Sequence, residues 1–308
     1  MSYNELINWL LLGDVSIQYQ THRDLLSVNK TDLQKRIAIE GWGAHFIQKQ
    51  NANGYWGQGF YQPKWISSHY TLLDIRNLCI APDTEIICRS IQRILEEHKA
   101  NDGGIYPISG KSDVCVNGMF LSYACYFRMP ALQFHTIIDM LLSEVMKDGG
   151  FNCRSNRSGA KHSSLHSTIS VLEGLTEYEK NDHDYRINEV KKVITDAKEF
   201  ILLHKLFKSD RTGDIINNDF LRLSYPSRWR YDILRALDYF QYSKTKWDNR
   251  MQPAIDVLLQ KRNKNGTWNL QAKHPGKIHF ELEKAGKPSR LNTLRALRVL
   301  NHFDFLPD

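Results

Sequence analysis

The chain has 308 residues, of which 42% are hydrophobic and 24% charged, and its net charge is +7. This composition permits a large buried core and excludes a disordered chain. No apolar run approaches the roughly 18 residues of a membrane span, and the first residues lack the pattern of a signal peptide, so we expect a cytoplasmic protein without a transmembrane segment. The basic residues are spread along the chain among 34 acidic ones, which argues against nucleic acid as a partner.

Amphipathic stretches alternate with polar loops along the whole sequence and predict helices joined in pairs. The predicted helices, in chain order, cover residues 4–12, 16–28, 66–79, 84–99, 113–127, 162–178, 229–243 and 289–302. Short polar residues near several of these starts are expected to cap free backbone N–H groups. The expected caps are Ser67, Ser68, Asp113, Ser163, Ser164 and Ser289.

A glycine turn recurs at intervals of about fifty residues, a length that fits two helices and their connections. The glycines are Gly54, Gly103, Gly149, Gly213 and Gly266. Each is expected to end a helix in left-handed backbone, and a large apolar residue two positions later is expected to pack between helices. About six such hairpins are enough to close a ring, so the sequence predicts an all-α fold with one α/α-toroid domain over residues 1–308.

The first glycine turn, Gln50-x-x-x-Gly54-x-Trp56, resembles the QxxxGxW motif of terpenoid cyclases, and the later turns are degenerate copies of it. The whole chain resembles the squalene-cyclase and protein prenyltransferase β-subunit repeat superfamily, in particular its short bacterial squalene-cyclase-like members. The resemblance implies an α/α toroid that binds an isoprenoid or another anionic small molecule in a central pocket. If the protein is an enzyme, which we favour, the resemblance implies a transferase or isomerase. The similar prenyltransferases work with a second helical subunit, and this sequence identifies no such protein partner.

The helices after the glycine turns are expected to line the pocket, with their amino ends at one mouth. Helix amino ends carry unpaired N–H groups and partial positive charge, so the mouth should favour anions. The substrate-binding candidates near these ends are Trp65, His69, Asn117, Trp229, Arg230, Arg290 and Asn292. Among them, Arg230 and Arg290 are expected to hold an anion, and Trp65 and Trp229 to form apolar walls.

The catalytic candidates are His166, His162, Asp232 and Tyr231. His162 and His166 are four residues apart, so within one helix they would share a face. We interpret His166 as the general acid or base, oriented by His162 or Asp232.

Asp113, Cys115 and His166 form the metal-site hypothesis, because they resemble the Asp-x-Cys…His zinc site of protein prenyltransferase β-subunits. The resemblance implies a zinc ion that activates a substrate thiol. Val114 and Val116 depart from the family, which has a small residue before the cysteine and an aromatic one after it. The zinc role competes with the acid–base role, since a metal-bound His166 nitrogen cannot shuttle a proton.

Two alternatives of other classes stay open. No Asp-x-Asp-Asp acid motif occurs, and the chain is about half as long as a two-barrel triterpene cyclase, so classical squalene cyclization is not expected. A carbohydrate-active lyase or hydrolase on an α/α toroid would use Tyr or His to transfer the proton and Arg to neutralise a uronate carboxylate. The residues considered for it are Trp229, Arg230, Tyr231, Asp232 and His166. A non-catalytic binding scaffold is the third interpretation.

Overall fold

The computed structural model describes residues 1–107 and 112–306, apart from the side chain of Asn156. The helices of the described residues are α1 (Tyr3–Leu11), α2 (Val15–Leu25), α3 (Thr31–Arg36), α4 (Gly41–Gln48), α5 (Ser68–Asn77), α6 (Glu85–Glu97), α7 (Val114–Tyr126), α8 (His135–Ser143), α9 (Ser155–Ser158), α10 (Leu165–Lys180), α11 (Ile187–Leu203), α12 (Ile233–Tyr242), α13 (Gln252–Gln260) and α14 (Arg290–His302). Strands β1 (Trp268–Asn269) and β2 (Pro288–Ser289) pair antiparallel. The predicted all-α fold class is confirmed. Among these helices, none is long and apolar enough to cross a membrane.

The eight predicted helices correspond to α1, α2, α5, α6, α7, α10, α12 and α14, with ends that shift by a few residues. Two of the shifts matter for the candidate residues. Helix α10 begins at Leu165, so His162 lies in the preceding loop, and the predicted shared helical face with His166 is wrong. Helix α12 begins at Ile233, so residues 229–231 precede it and Asp232 is its N-cap.

The chain divides into two compact units, each made from discontinuous segments. Unit 1 comprises residues 1–49, 77–81 and 202–308, whereas unit 2 comprises residues 50–76 and 82–201. Within unit 1, α14 packs against α2 and α12. Within unit 2, the main packing is between α7 and α10. The single domain over residues 1–308 stays a prediction.

The glycine turns form as predicted. Gly54 and Gly103 have φ values of 80° and 90°, in the left-handed region that suits glycine, and each N–H donates to the carbonyl three residues earlier. The large apolar residues two positions after four of the glycines are fully buried; they are Trp56, Ile105, Phe151 and Trp268. The fifth turn differs, because Ile215 is 45% exposed and supplies no core contact of this kind.

Each of these four buried residues also donates its backbone N–H to a polar side chain in the helix that follows. We name this contact the turn-to-helix hydrogen bond. The pairs are Trp56 to Ser68 at 2.9 Å, Ile105 to Asn117 at 2.7 Å, Phe151 to Thr168 at 3.0 Å and Trp268 to Thr293 at 3.0 Å. A buried N–H without a partner is costly, so the bond fixes each turn against the next helix.

The expected helix caps are confirmed in part. Ser289 caps α14 by accepting a hydrogen bond from the backbone N–H of Asn292. Asp113 and Ser164 occupy N-cap positions but accept no capping hydrogen bond. The side chain of Ser163 instead donates to Asp148, and that of Ser67 donates to the Lys64 carbonyl, so neither caps a helix.

Helices α5, α7 and α10 of unit 2 run in the same direction. Near their amino ends, Cys153 accepts hydrogen bonds from Cys115 of α7 and Ser167 of α10. Near their carboxyl ends, Arg76 of α5 forms a 2.5 Å ion pair with Glu177 of α10. The amino ends of these helices therefore lie on one side of unit 2, as predicted for helices that follow glycine turns.

The closest approach of α7 and α10 depends on Gly118. A Cβ atom at this position would lie 2.4 Å from the Ser170 carbonyl oxygen. We predict that Gly118→Ala lowers the free energy of unfolding by about 1–3 kcal/mol, because the overlap outweighs the higher helix propensity of alanine. Chemical denaturation measures the change. In the control Asn8→Ala, at an exposed position of α1, the change should stay within about 0.5 kcal/mol; a more stable Gly118→Ala protein would contradict this packing argument.

Candidate functional site

Aromatic side chains gather at the amino end of α5 and in the loop before it. We name Tyr61, Trp65, His69, Tyr70 and Tyr123 the tyrosine–histidine cluster. The hydroxyls of Tyr61 and Tyr70 are 3.1 Å apart and hydrogen bonded. The ring of Tyr70 also meets those of Trp65 and His69 edge to face, at centroid distances of 4.9 and 4.8 Å. The cluster therefore ties the loop of Tyr61 to α5.

His69 lies at the centre of this cluster and has no exposed surface. Its Nδ1 is 3.3 Å from the hydroxyl of Tyr123, and within the described residues its Nε2 has no hydrogen-bond partner. Burial, with a smaller contribution from the charge of Lys64, lowers the pKa of His69 to about 3. The imidazole is therefore neutral near pH 7, and its contacts position aromatic rings; a direct role in binding substrate stays a prediction.

Two exposed cations adjoin the cluster. The Lys64 ammonium is 5.1 Å from the ring centroid of Trp65 and 6.0 Å from that of Tyr61. The guanidinium of Arg157 forms a 2.5 Å ion pair with Asp113, and its side chain is 57% exposed. This side of unit 2 thus presents positive charge to solvent beside aromatic faces.

Asp113 lies between these cations. Burial raises the pKa of its carboxyl group, and the charges of Arg157 and then Lys64 act in the opposite direction. Its Oδ2 accepts from Arg157, whereas its buried Oδ1 has no hydrogen-bond partner among the described residues. One carboxylate oxygen is therefore committed to Arg157.

Tyr61 is half-buried, whereas the other members of the cluster are buried. The charge of Asp113 acts on its phenol. Burial raises the pKa of its phenol, and negative charge on Cys115, Asp113 or Cys153 would raise it further, while the hydrogen bond with Tyr70 lowers it. Since the net shift is upward, the phenol keeps its proton at neutral pH. It therefore holds a proton that a leaving oxygen can take, although the raised pKa makes it a weaker acid than an ordinary tyrosine.

Cys115 and Cys153 form a thiol pair beside Asp113. The Cys153 sulfur accepts a hydrogen bond from the Cys115 backbone N–H at 3.3 Å and from the Ser167 hydroxyl at 3.4 Å. The Cys115 thiol also donates to Cys153, which lowers the pKa of Cys153 and raises that of Cys115.

The zinc hypothesis gains no support from this arrangement. Among the described residues, no group of three or more His, Cys, Asp and Glu side chains is placed to hold a metal ion. Asp113 is paired with Arg157, and Cys115 with Cys153. His166 is half-buried in the first turn of α10, and its acid–base role stays a prediction.

Several candidates have structural hydrogen bonds instead. The buried Asn117 amide accepts from the Ile105 N–H and donates to the Ile105 and Asp113 carbonyls. The buried Asn292 amide donates to the Leu223 and Asn269 carbonyls. These contacts support the backbone and leave both amides buried, so neither residue presents a free amide to a ligand.

The catalytic candidates of unit 1 are also committed to the fold. The Tyr231 hydroxyl donates to the Leu206 carbonyl at 2.5 Å, and its side chain is 2% exposed. Asp232 is 1% exposed; it caps α12 by accepting from the Arg235 N–H, and it accepts from the Ser224 hydroxyl. Neither residue exposes a reactive atom to solvent, and a proton-transfer role for this pair stays a prediction.

The remaining candidates of unit 1 are partly exposed. The Arg230 guanidinium lies 5.1 Å from the ring centroid of Trp229. The Arg290 guanidinium lies 4.5 Å over the ring of Trp9 and donates to its carbonyl. These arginines are held by aromatic neighbours, and their binding of an anion stays a prediction.

The remaining catalytic candidate, His162, belongs to unit 2. It is exposed in the loop before α10, and its carbonyl accepts a hydrogen bond from the Asn152 amide.

The structure adds functional candidates that the sequence does not single out, namely Tyr61, Lys64 and Cys153, and it brings Tyr70 and Arg157 into the same region. One signal was present in the sequence. The loop between Trp56 and α5 was expected to be polar, yet it contains Phe60, Tyr61 and Trp65. Aromatic residues in a loop need a surface to cover, and such a stretch indicates either core or a binding site.

Comparisons with known proteins give one informative result. No protein-family model matches the chain, and no curated protein matches it in sequence. Among solved structures, the chain is similar to a polysaccharide lyase, with a TM-score of 0.55 and 11% sequence identity over 98% of this chain and 97% of that one. At this identity the likeness shows the fold alone, and it is compatible with an α/α toroid. The comparisons do not confirm the squalene-cyclase and prenyltransferase resemblance.

His69 provides a pH test of the cluster. Its folded-state pKa of about 3 is below the ordinary value of 6.5, so the unfolded chain binds the extra proton first as the pH falls. We predict that, as the pH falls from 6.5 to about 3, this residue lowers the free energy of unfolding by about 1.4 kcal/mol per pH unit. Above pH 6.5 its full contribution to stability is retained. Denaturation of wild type and His69→Gln at several pH values measures it.

The His69→Gln protein should show a pH dependence of the free energy of unfolding that is shallower by that amount, while Asn8→Ala, at an exposed position without a titratable group, should leave the slope unchanged. Equal slopes in wild type and His69→Gln would show that His69 binds its proton equally well in the folded and the unfolded protein.

Proposed function

We propose that the chain is a carbohydrate-active enzyme that cleaves an acidic saccharide by β-elimination. We place the site at the exposed side of the tyrosine–histidine cluster, with Lys64 and Arg157. We include His166 because the next residue of α10, Ser167, donates to Cys153, which also accepts from Cys115 near Asp113. The observation that carries the proposal is a half-buried phenol, Tyr61, which is hydrogen bonded to Tyr70 and lies beside the exposed cation Lys64. The full-length likeness to a polysaccharide lyase supports the same class of reaction.

The chemistry of elimination requires three groups. A cation must neutralise the uronate carboxylate, because this makes the adjacent C–H bond more acidic. A base must remove that proton, and an acid must protonate the oxygen that leaves when the C–O bond breaks and a C=C bond forms. We assign the cation role to Lys64 and Arg157, the acid role to Tyr61 and the base role to His166.

Aromatic surface completes the set. Sugar rings present C–H faces that pack on aromatic side chains. Trp65 is only 7% exposed, so the half-buried ring of Tyr61, 6.0 Å from the Lys64 ammonium, is the aromatic face that a sugar can reach. Hydrogen bonding with Tyr70 holds the Tyr61 hydroxyl in one place, and the ring of His69 packs 5.5 Å from that of Tyr61. In this proposal His69 and Tyr70 are positioning residues for Tyr61.

An isoprenoid diphosphate remains the competing ligand of the proposal, since the same cations suit phosphate. Isoprenoid binding also needs a long apolar wall. In unit 2, the residues next to the cations include the carboxyl of Asp113 and the hydroxyls of Tyr61 and Tyr70, and this polar set favours a saccharide.

The test is incubation of the purified chain with uronate-containing polysaccharides and their oligosaccharides, beside neutral glycans and prenyl diphosphates. We expect ultraviolet absorbance from an unsaturated uronate, and mass spectra in which the products have gained no water. Tyr61→Phe should lower kcat at least about 100-fold, because the leaving oxygen loses its acid. Lys64→Met should mainly raise KM for the acidic substrate.

Tyr55→Phe is the matched control. Tyr55 lies in the glycine turn just before the loop of Tyr61, and its hydroxyl donates to Glu97 outside the cluster, so its loss should leave kcat near the wild-type value. Products that have gained water would show a hydrolase in place of a lyase. Turnover of prenyl diphosphates alone, or equal losses in Tyr61→Phe and Tyr55→Phe, would refute the proposal.

A further inference from the structure

Two thiols from different elements meet at the amino end of α7. Cys115 is the second residue of that helix, and Cys153 lies in the loop before α9, 38 positions away. Both cysteines are free and partly exposed. Their contact is direct, since the Cys115 N–H donates to the Cys153 sulfur at 3.3 Å.

The other three cysteines have different surroundings. Cys79 and Cys125 are buried. Cys88 is partly exposed, but its thiol contacts the backbone carbonyls of Pro82 and Phe127 at 3.5 and 3.8 Å. Of the five cysteines, Cys115 and Cys153 therefore combine solvent access with a thiol partner.

We propose that Cys153 and Cys115 are a thiol-oxidation site that a hydroperoxide converts reversibly to a disulfide. The inference rests on the two thiols and is independent of the proposed elimination reaction. The N–H of Cys115 and the hydroxyl of Ser167 both donate hydrogen bonds to the Cys153 sulfur. Because such bonds stabilise the thiolate, which is the nucleophilic form of cysteine, we assign Cys153 as the attacking group.

The oxidation proceeds in two balanced steps. The Cys153 sulfur attacks the peroxide, the O–O bond breaks, and a sulfenic acid forms while the thiol proton leaves with the other oxygen as water or an alcohol. The Cys115 sulfur then attacks the sulfenic sulfur, an S–S bond forms, and water leaves. The peroxide is reduced by the two electrons that the thiols lose, and a dithiol reductant reverses the change.

The disulfide would tie the start of α7 to the loop that leads into α9, the short helix that carries Arg157. A cross-link over this length of chain removes conformations from the unfolded state, so the oxidised protein should melt several degrees higher than the reduced one. Asp113 is two residues from Cys115 and pairs with Arg157, so the cross-link also restricts an ion pair beside the tyrosine–histidine cluster.

The experiment treats the reduced, full-length protein with a small excess of hydrogen peroxide, blocks the remaining thiols with an alkylating reagent, and maps the peptides by mass spectrometry. We expect a cross-linked peptide pair that contains Cys115 and Cys153 and that separates after treatment with a dithiol. Recovery of both cysteines in alkylated form, or cross-links that involve other cysteines instead, would overturn the proposal.

Two variants sharpen the result. In Cys115→Ser the oxidation should stop at a sulfenic acid on Cys153, which a dimedone-type probe traps. In the control Cys125→Ser, on the same helix, the cross-link should form as in wild type. Should Cys115→Ser fail to fold, peptide mapping of wild type and of Cys125→Ser still decides the question, since a cross-link missing from both refutes it.

Discussion

The turn-to-helix hydrogen bond is the contact on which the arrangement of candidate residues depends. In each of four repeats, a fully buried residue after a glycine turn gives its N–H to a side chain in the next helix. The loop between donor and acceptor is thereby fixed at both ends. In unit 2, these loops and the first turns after them carry Tyr61, Lys64, Asp113, Cys153 and Arg157. The repeat is thus a structural frame that allows the loop residues to vary.

Burial then separates the candidates by role. Tyr231 and Asp232 in unit 1 are almost fully buried, and their polar atoms bond to the protein itself. In unit 2, Tyr61 is half-buried, and the buried polar atoms His69 Nε2 and Asp113 Oδ1 have no partner among the described residues. Such atoms are costly in a purely structural core and are typical of functional sites. Buried atoms of this kind also occur in unit 1, for example Arg230 Nε, so the candidate site in unit 2 is favoured by exposure instead: Tyr61 is half-buried, and Lys64 and Arg157 are exposed.

The helices and glycine turns could be predicted from sequence because both follow from local rules. Amphipathic periodicity located α6, and the left-handed turn at Gly54 needed a residue without a Cβ atom. The site was predicted less well. A polar residue at a helix start looks the same in sequence whether it binds a ligand or, like Asn117, the backbone of a preceding turn. Tyr61 lies in an irregular loop without periodicity, so only its three-dimensional neighbours identify it.

The family resemblance likewise gave information about helix packing and little about the site. Its motif describes how glycine and a buried aromatic residue join helices, and Trp56 has that structural role here. A motif that specifies packing is compatible with many chemistries, because activity depends on loop residues that the motif leaves free. The helical likeness to a polysaccharide lyase agrees with the packing, and the proposal of an acidic substrate rests on the cations beside Tyr61.

The most direct measurement is a crystal structure of the chain with a bound acidic oligosaccharide, obtained with the slow Tyr61→Phe variant. The account predicts that a uronate carboxylate contacts Lys64 or Arg157, that the glycosidic oxygen faces residue 61, and that His166 faces the carbon beside the carboxylate. A saccharide bound only by residues of unit 1, or with its carboxylates in solvent, would contradict the account.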